Sequence, residues 1–393
     1  MLHNQKKSMG NIAFFHEKFP AGGAETVTFD IASILKDKGI NVYVFSHNMD
    51  EGKFPSNAVN VTPVTMPYPN RDERNYPLVL QKIKECDIDT VVIPVDINYF
   101  PFIDSLKSDT GAKIVFVLHS LPFWEYKSKL YNVKRRINES FLKRLEWYFL
   151  RYPKYKLGFK FNAIKREYLN LYNKVDVFGV LSEGFGRELA QKLGLDYSSS
   201  KIRVLPNYVK ELDNVVEDKK KEVYFIGRLT YVDKRVDRLL RLWSLVEKEN
   251  PEWTLNIVGS GDEYENLVAQ KERLNLQRVK FLGYTPTPKE YYDRAAIVCL
   301  TSSFEGWPMV LLEAQSNGCA TIAFNSSAGI EEILSPSWEN GVLVNAFDEK
   351  QYAEALSRLM KDDNLRESIA RSGRLSVKRF SPANTLSYWK EIL

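Results

Sequence analysis

Short apolar runs recur along the chain, each followed by a turn and a stretch of helical pattern. They are NIAFF at 11–15, NVYVFS at 41–46, TVVIPV at 90–95, KIVFVLH at 113–119 and DVFGVLS at 176–182. The pattern resumes with VYFIG at 223–227, WTLNIVG at 253–259, VKFLGY at 279–284, AIVCL at 296–300, ATIAF at 320–324 and NGVLVNA at 340–346. Runs this continuous fit strands covered on both faces, the condition inside a parallel sheet whose crossovers are helices. The predicted fold class is therefore α/β, with doubly wound, Rossmann-like parallel sheets.

A chain of 393 residues, 44% hydrophobic, can bury two ordinary cores and is too long for one typical domain. The polar run VKELDNVVEDKKKE at 209–222 reads as the linker between them. The predicted division is 1–206, then 207–380, then a final helix over 381–393 with Leu386, Trp389 and Ile392 on one side. Cys86, Cys299 and Cys319 are widely spaced with no CxxC pair, which suggests neither disulfides nor zinc and fits a reducing cytosol. The N-terminus lacks a signal-peptide core and no run is apolar enough to span a membrane, so the expected location is cytoplasmic or peripheral on the inner face of the membrane. A net charge of +5 is small for this many charged residues, and no nucleic-acid partner is implied.

The most chemically informative stretch is TSSFEGWPMVLLEAQSNGCATIAF at 301–324. VCL ends a buried strand, TSS turns, Pro308 suits the first helical position, and the helix closes at Gly318. Glu305 then lies in the loop before the helix and Glu313 about one turn inside it, both facing one mouth. Free amides at a helix N-terminus favour phosphate, whereas two carboxylates favour hydroxyls. A sugar nucleotide offers both. Taken alone, an ordinary surface glutamate and a first-turn glutamate fit as well.

Other candidates follow strand ends. Gly22 and Gly23 stand between the first strand and a helix predicted over 26–38, where a backbone can approach a ligand closely, though an ordinary turn reads the same way. His119 closes a strand where α/β sheets collect ligands, or is simply structural. Arg228 and Lys234, six residues apart around a turn, suit a diphosphate or are ordinary surface cations. GSG at 259–261 is not the GxGxxG fingerprint, so nicotinamide chemistry gains little.

EGWPMVLLEA, two glutamates with seven residues between them, resembles the signature of the family-4 retaining glycosyltransferases of GT-B fold. The resemblance implies two Rossmann-like domains facing a central cleft, with the last helix crossing back onto the first domain on Trp389. It makes Glu305 the sugar-side residue, within a donor loop of Gly306, Trp307, Pro308, Met309 and Val310, and Glu313 the ribose ligand. AGGAE resembles the family's glycine loop facing the donor phosphate, and His119 its sugar-facing histidine. Gly227, Arg228 and Lys234 resemble its diphosphate clamp, and Gly283 and Tyr284 its base neighbours. Gly329 and Glu332 match family habit. Arg235 departs from it, since glycine usually follows the lysine.

Residues 125–172 hold 13 Lys/Arg against 4 Glu, a net of +9. Val133, Ile137, Phe141, Leu145, Tyr148 and Phe149 recur there at helical spacing opposite Lys134, Arg135, Arg136, Lys143 and Arg144. This is the composition of an interfacial helix for anionic membranes, or of a solvated helix that packs its stripe on the domain.

The expected function is retaining transfer of a hexose or N-acetylhexosamine from a nucleotide-sugar, a UDP-sugar, to a sugar or lipid-linked acceptor in polysaccharide or lipopolysaccharide synthesis. No cofactor or metal is required by it. The alternatives are another GT-B enzyme, an epimerase or phosphorylase, and a non-catalytic nucleotide-sugar-binding scaffold.

Overall fold

The computed structural model describes residues 10–20, 23–55, 58–94, 101–131, 140–212 and 214–393. The chain divides into two compact units. One comprises Met1–Pro122, Ala163–Tyr208 and Pro382–Leu393, and the other Phe123–Asn162 and Val209–Ser381.

The first unit is built on a wholly parallel sheet of β1 (Asn11–Phe15), β2 (Val42–Ser46), β3 (Val61–Thr65), β4 (Ile88–Ile93), β5 (Lys113–Leu118), β6 (Val177–Val180) and β7 (Ile202–Val204). Their order is β3-β2-β1-β4-β5-β6-β7. The interior strands are buried almost throughout, as their unalternating sequences require. The two edge strands escaped the sequence reading. VTPVT of β3 is half-buried and carries Pro63, which only an edge tolerates, and β7 has three residues within KIRVLPNYV at 201–209, just before the polar linker. The first helix spans Gly23–Lys36 and opens on the second glycine of the pair, whereas its apolar periodicity shows only from Val27 onward. Gly22 lies outside the described residues. In the core of this unit Phe14, Phe19, Phe29 and Leu35 pack with Trp389 and Ile392. The helix Pro382–Lys390 supplies Trp389, 6.1 Å from the Phe14 ring.

The second unit holds a six-stranded parallel sheet of β8 (Lys220–Ile226), β9 (Thr254–Val258), β10 (Val279–Gly283), β11 (Ala295–Leu300), β12 (Ala320–Phe324) and β13 (Val342–Val344). The order β10-β9-β8-β11-β12-β13 places the chain reversal at β8 and β11. Loops leaving the carboxyl ends of two such strands diverge and open a crevice, the usual ligand position in an open α/β sheet. Trp243 and Trp253 fill the core beneath Val236–Val246 and Glu349–Lys361. Glu349–Lys361 and Asp363–Ser376 are separate helices, because Asp362 stops the first and caps the second by accepting from the Leu365 amide at 2.9 Å.

Residues 123–162, which the sequence reading assigned to the first domain, group with the second unit. They include short helical stretches over Phe141–Glu146, Trp147–Arg151 and Tyr152–Lys156, then a reversal at Gly158, φ 78°, into Phe159–Lys174. Val133, Lys134, Arg135, Arg136 and Ile137 lie outside the described residues. The rest of the predicted stripe faces solvent: Phe141 is 66% exposed, Leu145 37%, Tyr148 53% and Phe149 73%. Among the described residues no helix is long and apolar enough to cross a membrane.

Candidate functional site

Four loops leave the carboxyl ends of β8, β9, β10 and β11 in the second unit, and backbone contacts hold the first three together. The Gly227 amide donates to Val258 O at 2.9 Å, and the Gly259 amide to Gly283 O at 2.7 Å. A Cβ on Gly259 would stand 1.9 Å from Gly227 O, and one on Gly261 2.3 Å from Leu229 O. The GSG turn at 259–261 is therefore explained by close packing of strand-end loops, with no ligand needed to account for it.

The loop after β8 carries Arg228 and Lys234. Lys234 donates to Glu305 Oε1 at 2.7 Å, and Ser302 Oγ donates to the same oxygen at 2.6 Å. Both side chains of the ion pair are largely covered, 15% and 11% exposed. Arg228 is 74% exposed and pairs with Asp233 at 3.0 Å, while the Ser303 amide donates to Asp233 O at 2.7 Å. Each expected diphosphate cation is thus held by a carboxylate, and Asp233 also ties the β8 loop to the β11 loop.

Arg235 sits in the left-handed region, φ 52°, ψ 47°, immediately before the helix Val236–Val246. The conformation explains why glycine suits this position. Here arginine occupies it with a bidentate bond to Asp237, 2.8 and 3.0 Å, and a guanidinium 4.3 Å over the Tyr231 ring. Arg235→Ala should lose the pairing and keep the strained backbone, whereas Arg235→Gly loses the pairing and relieves the strain. Chemical denaturation should place the glycine variant about 1 kcal/mol above the alanine variant. Equal stabilities would show that φ at 235 carries no penalty.

After β11 the chain passes Glu305, Gly306, Trp307 and Pro308 into the helix Met309–Ser316. Pro308 is the cap, φ −74°, ψ 91°, one position before its predicted place. The amides of Met309 and Val310 open the helix and lack intrahelical acceptors by geometry. Gly318, φ 73°, ends the turn behind it. Trp307 is buried edge-on to Phe380 at 5.0 Å, with its Nε1 unpartnered, which pins the loop between Glu305 and the helix. Glu313 lies in the second turn and accepts from Tyr292 Oη at 2.6 Å. Burial pushes its carboxyl above the ordinary range, against the opposing pull of that hydrogen bond. The two glutamates thus take different partners. At the end of β10, Gly283 has φ 77° and Tyr284 is 73% exposed.

In the first unit His119 follows β5. Its Nδ1 is buried without a hydrogen-bond partner, and desolvation, then the neighbouring His16, lowers its pKa to about 4. The ring is neutral at pH 7. His16, fully buried after β1, bonds Thr28 Oγ1 through Nε2 at 2.8 Å, and its Nδ1 lies 3.6 Å from Glu25 Oε1. Gly23 is the first residue of its helix.

Sequence reasoning missed Asp233, Ser302, Tyr292, His16 and Glu25. Asp233 directly precedes Lys234 and Ser302 stands three residues before Glu305, whereas Tyr292 reaches Glu313 across 21 positions and leaves no local signal. Among the described residues no group of three or more His, Cys, Asp or Glu side chains could hold a metal ion.

Two family models cover most of the chain: "Glycosyltransferase Family 4" over residues 21–211 and "Glycosyl transferases group 1" over 210–376. The chain belongs to the family-4-type GT-B glycosyltransferases. Among similar proteins, an uncharacterized glycosyltransferase of Haemophilus influenzae is 31% identical over 189 residues, 48% of this chain and 53% of that protein. The amylovoran biosynthesis glycosyltransferase AmsD of Erwinia amylovora is 31% identical over 188 residues, 48% of this chain and 52% of that protein. The chain thus spans about half the length of these curated relatives. The GT-B fold itself is shared with Anabaena HepE, solved in complex with UDP and glucose, at TM-score 0.73 and 18% identity, covering 97% of this chain and 98% of that one.

Proposed function

We propose that this chain transfers a hexose or N-acetylhexosamine from a UDP-sugar to a sugar or lipid-linked glycan acceptor, with retention of configuration, in cell-surface polysaccharide synthesis. The observation that carries the reading is the Lys234–Glu305–Ser302 cluster beside the opening turn of Met309–Ser316. Lys234, Arg228 and the amides of Met309 and Val310 supply positive charge for a leaving diphosphate. Glu305 and Glu313 offer carboxylate oxygens to sugar and ribose hydroxyls, and the neutral His119 one ring nitrogen to a sugar hydroxyl. Gly227 lies beside Arg228 in the diphosphate loop, and Gly283 and Tyr284 border the base. Related proteins support the acceptor class: a Campylobacter jejuni relative, 28% identical over 230 residues, is named for a diphospho-undecaprenol acceptor. The acceptor would then be met at the inner face of the membrane.

The test is release of nucleoside diphosphate from a panel of sugar nucleotides, with and without glycan acceptors, followed by NMR of the product anomer. A UDP-sugar should turn over with the α configuration kept, and turnover should survive excess chelator because Lys234, Arg228 and the helix amides offer donors to the diphosphate without a divalent ion. No turnover of any sugar nucleotide, or an inverted product, would overturn the reading.

A further inference from the structure

Eight described large apolar side chains in the whole molecule are more than three-fifths exposed, and six of them fall within residues 141–159. They are Phe141, Leu142, Phe149, Leu150, Leu157 and Phe159, 61–75% exposed. Single exposed apolar residues are ordinary, but such a concentration needs something to cover it. It is not a face left over from a missing core, because the segment closes its own inner side with aromatics. Trp147 is buried 5.4 Å from Tyr155, Tyr126 stacks on Tyr155 at 5.5 Å, and Tyr126 Oη donates to Tyr155 O at 2.8 Å.

The cover must also match the charge. Residues 140–160 carry Lys143, Arg144, Arg151, Lys154, Lys156 and Lys160 against the single acid Glu146, which Arg151 engages at 2.7 Å. All but Arg144 are exposed. Long basic stems that rise beside exposed Phe and Leu put apolar atoms below and charge above, the arrangement of a segment lying in a headgroup layer. A second copy of this chain would be a poor cover, since a two-fold contact sets the same cations against each other. The segment is also too short and too broken to span a bilayer.

We propose that residues 140–160 form an interfacial anchor that inserts Phe149, Leu150 and their neighbours among the lipids of an anionic bilayer, with the lysines and arginines at the phosphate level. Its purpose rests on the lipid-linked acceptor proposed above, while its geometry does not. The anchor would hold the second unit at the surface where a membrane-bound glycan is presented.

Sedimentation with phosphatidylcholine vesicles, with and without phosphatidylglycerol, tests it on the full chain. Wild type should bind the anionic vesicles at low salt and lose at least about tenfold in binding on neutral vesicles or at high salt. Phe149→Ser/Leu150→Ser should abolish binding, and Lys154→Gln/Lys156→Gln should weaken it severalfold, with thermal midpoints unchanged because these side chains are exposed. Wild type remaining in the supernatant with anionic vesicles overturns the proposal. So does unchanged binding by the serine variant, or a dimer that this variant converts to monomer without any vesicle binding. Turnover on a soluble acceptor separates the two readings. Intact turnover without vesicle binding fails the anchor alone, and vesicle binding without turnover fails the transferase assignment alone.

Discussion

Lys234→Ala is expected to lower turnover by roughly 10²–10³-fold, the scale on which one preorganised stabiliser of a developing anion acts. The structure adds a second effect. Lys234 is the ion-pair partner of Glu305, both largely covered, so its removal leaves that carboxylate with Ser302 as its hydrogen-bond donor in this cluster. An uncompensated, poorly solvated carboxylate destabilises the folded state, and a lower thermal midpoint should accompany the lost turnover. Arg228→Ala separates the two consequences, because Arg228 is exposed: turnover should fall with little change in stability. The double change Lys234→Ala/Glu305→Ala should recover part of the midpoint without recovering turnover. Steady-state kinetics and thermal unfolding on the four proteins check this. Wild-type turnover in both single lysine and arginine variants would remove these cations from the chemistry.

Glu313→Ala is expected to weaken binding of bare nucleoside diphosphate by about 10–100-fold, the worth of hydrogen bonds to one charged acceptor. The half-covered carboxylate already accepts from Tyr292, and burial raises its pKa, so the charged form gains from any further donor that a ribose supplies. Glu305→Ala should spare this affinity and damage transfer, since Glu305 is assigned to the sugar. Calorimetry with the nucleoside diphosphate measures the split. Equal losses in the two variants would mean that the glutamates act as one group.

The fold class was legible because a parallel sheet buries both faces of its inner strands, and burial on both faces leaves apolar runs such as KIVFVLH and AIVCL in the sequence. The edges were not legible. VTPVT is half-buried and interrupted by proline, and KIRVLPNYV has one strand turn of pattern, so neither shows a period. Helix ends were legible where a residue type enforces them, as at Gly318, and shifted where glycine opens a helix ahead of its apolar stripe, as at Gly23. The residue types of the candidate site, two glutamates around a helix start and two cations after a strand, were also visible, because strand ends and helix starts are local features.

The partners were a different matter. Lys234 and Glu305 are 71 positions apart, and Glu313 and Tyr292 are 21 apart, so only the parallel crossovers bring them within hydrogen-bond distance. The basic segment shows the same limit from the opposite side. Its stripe at helical spacing was equally compatible with packing and with exposure, since spacing says which residues share a face and not what that face meets. The sequence alone determined the alternation that makes two parallel sheets and the chemistry available at their strand ends. Tertiary structure decided which charges neutralise each other, why arginine at 235 must adopt a left-handed backbone, and that Phe149 and Leu150 point to solvent, because each of these depends on neighbours that the chain meets only after it has folded.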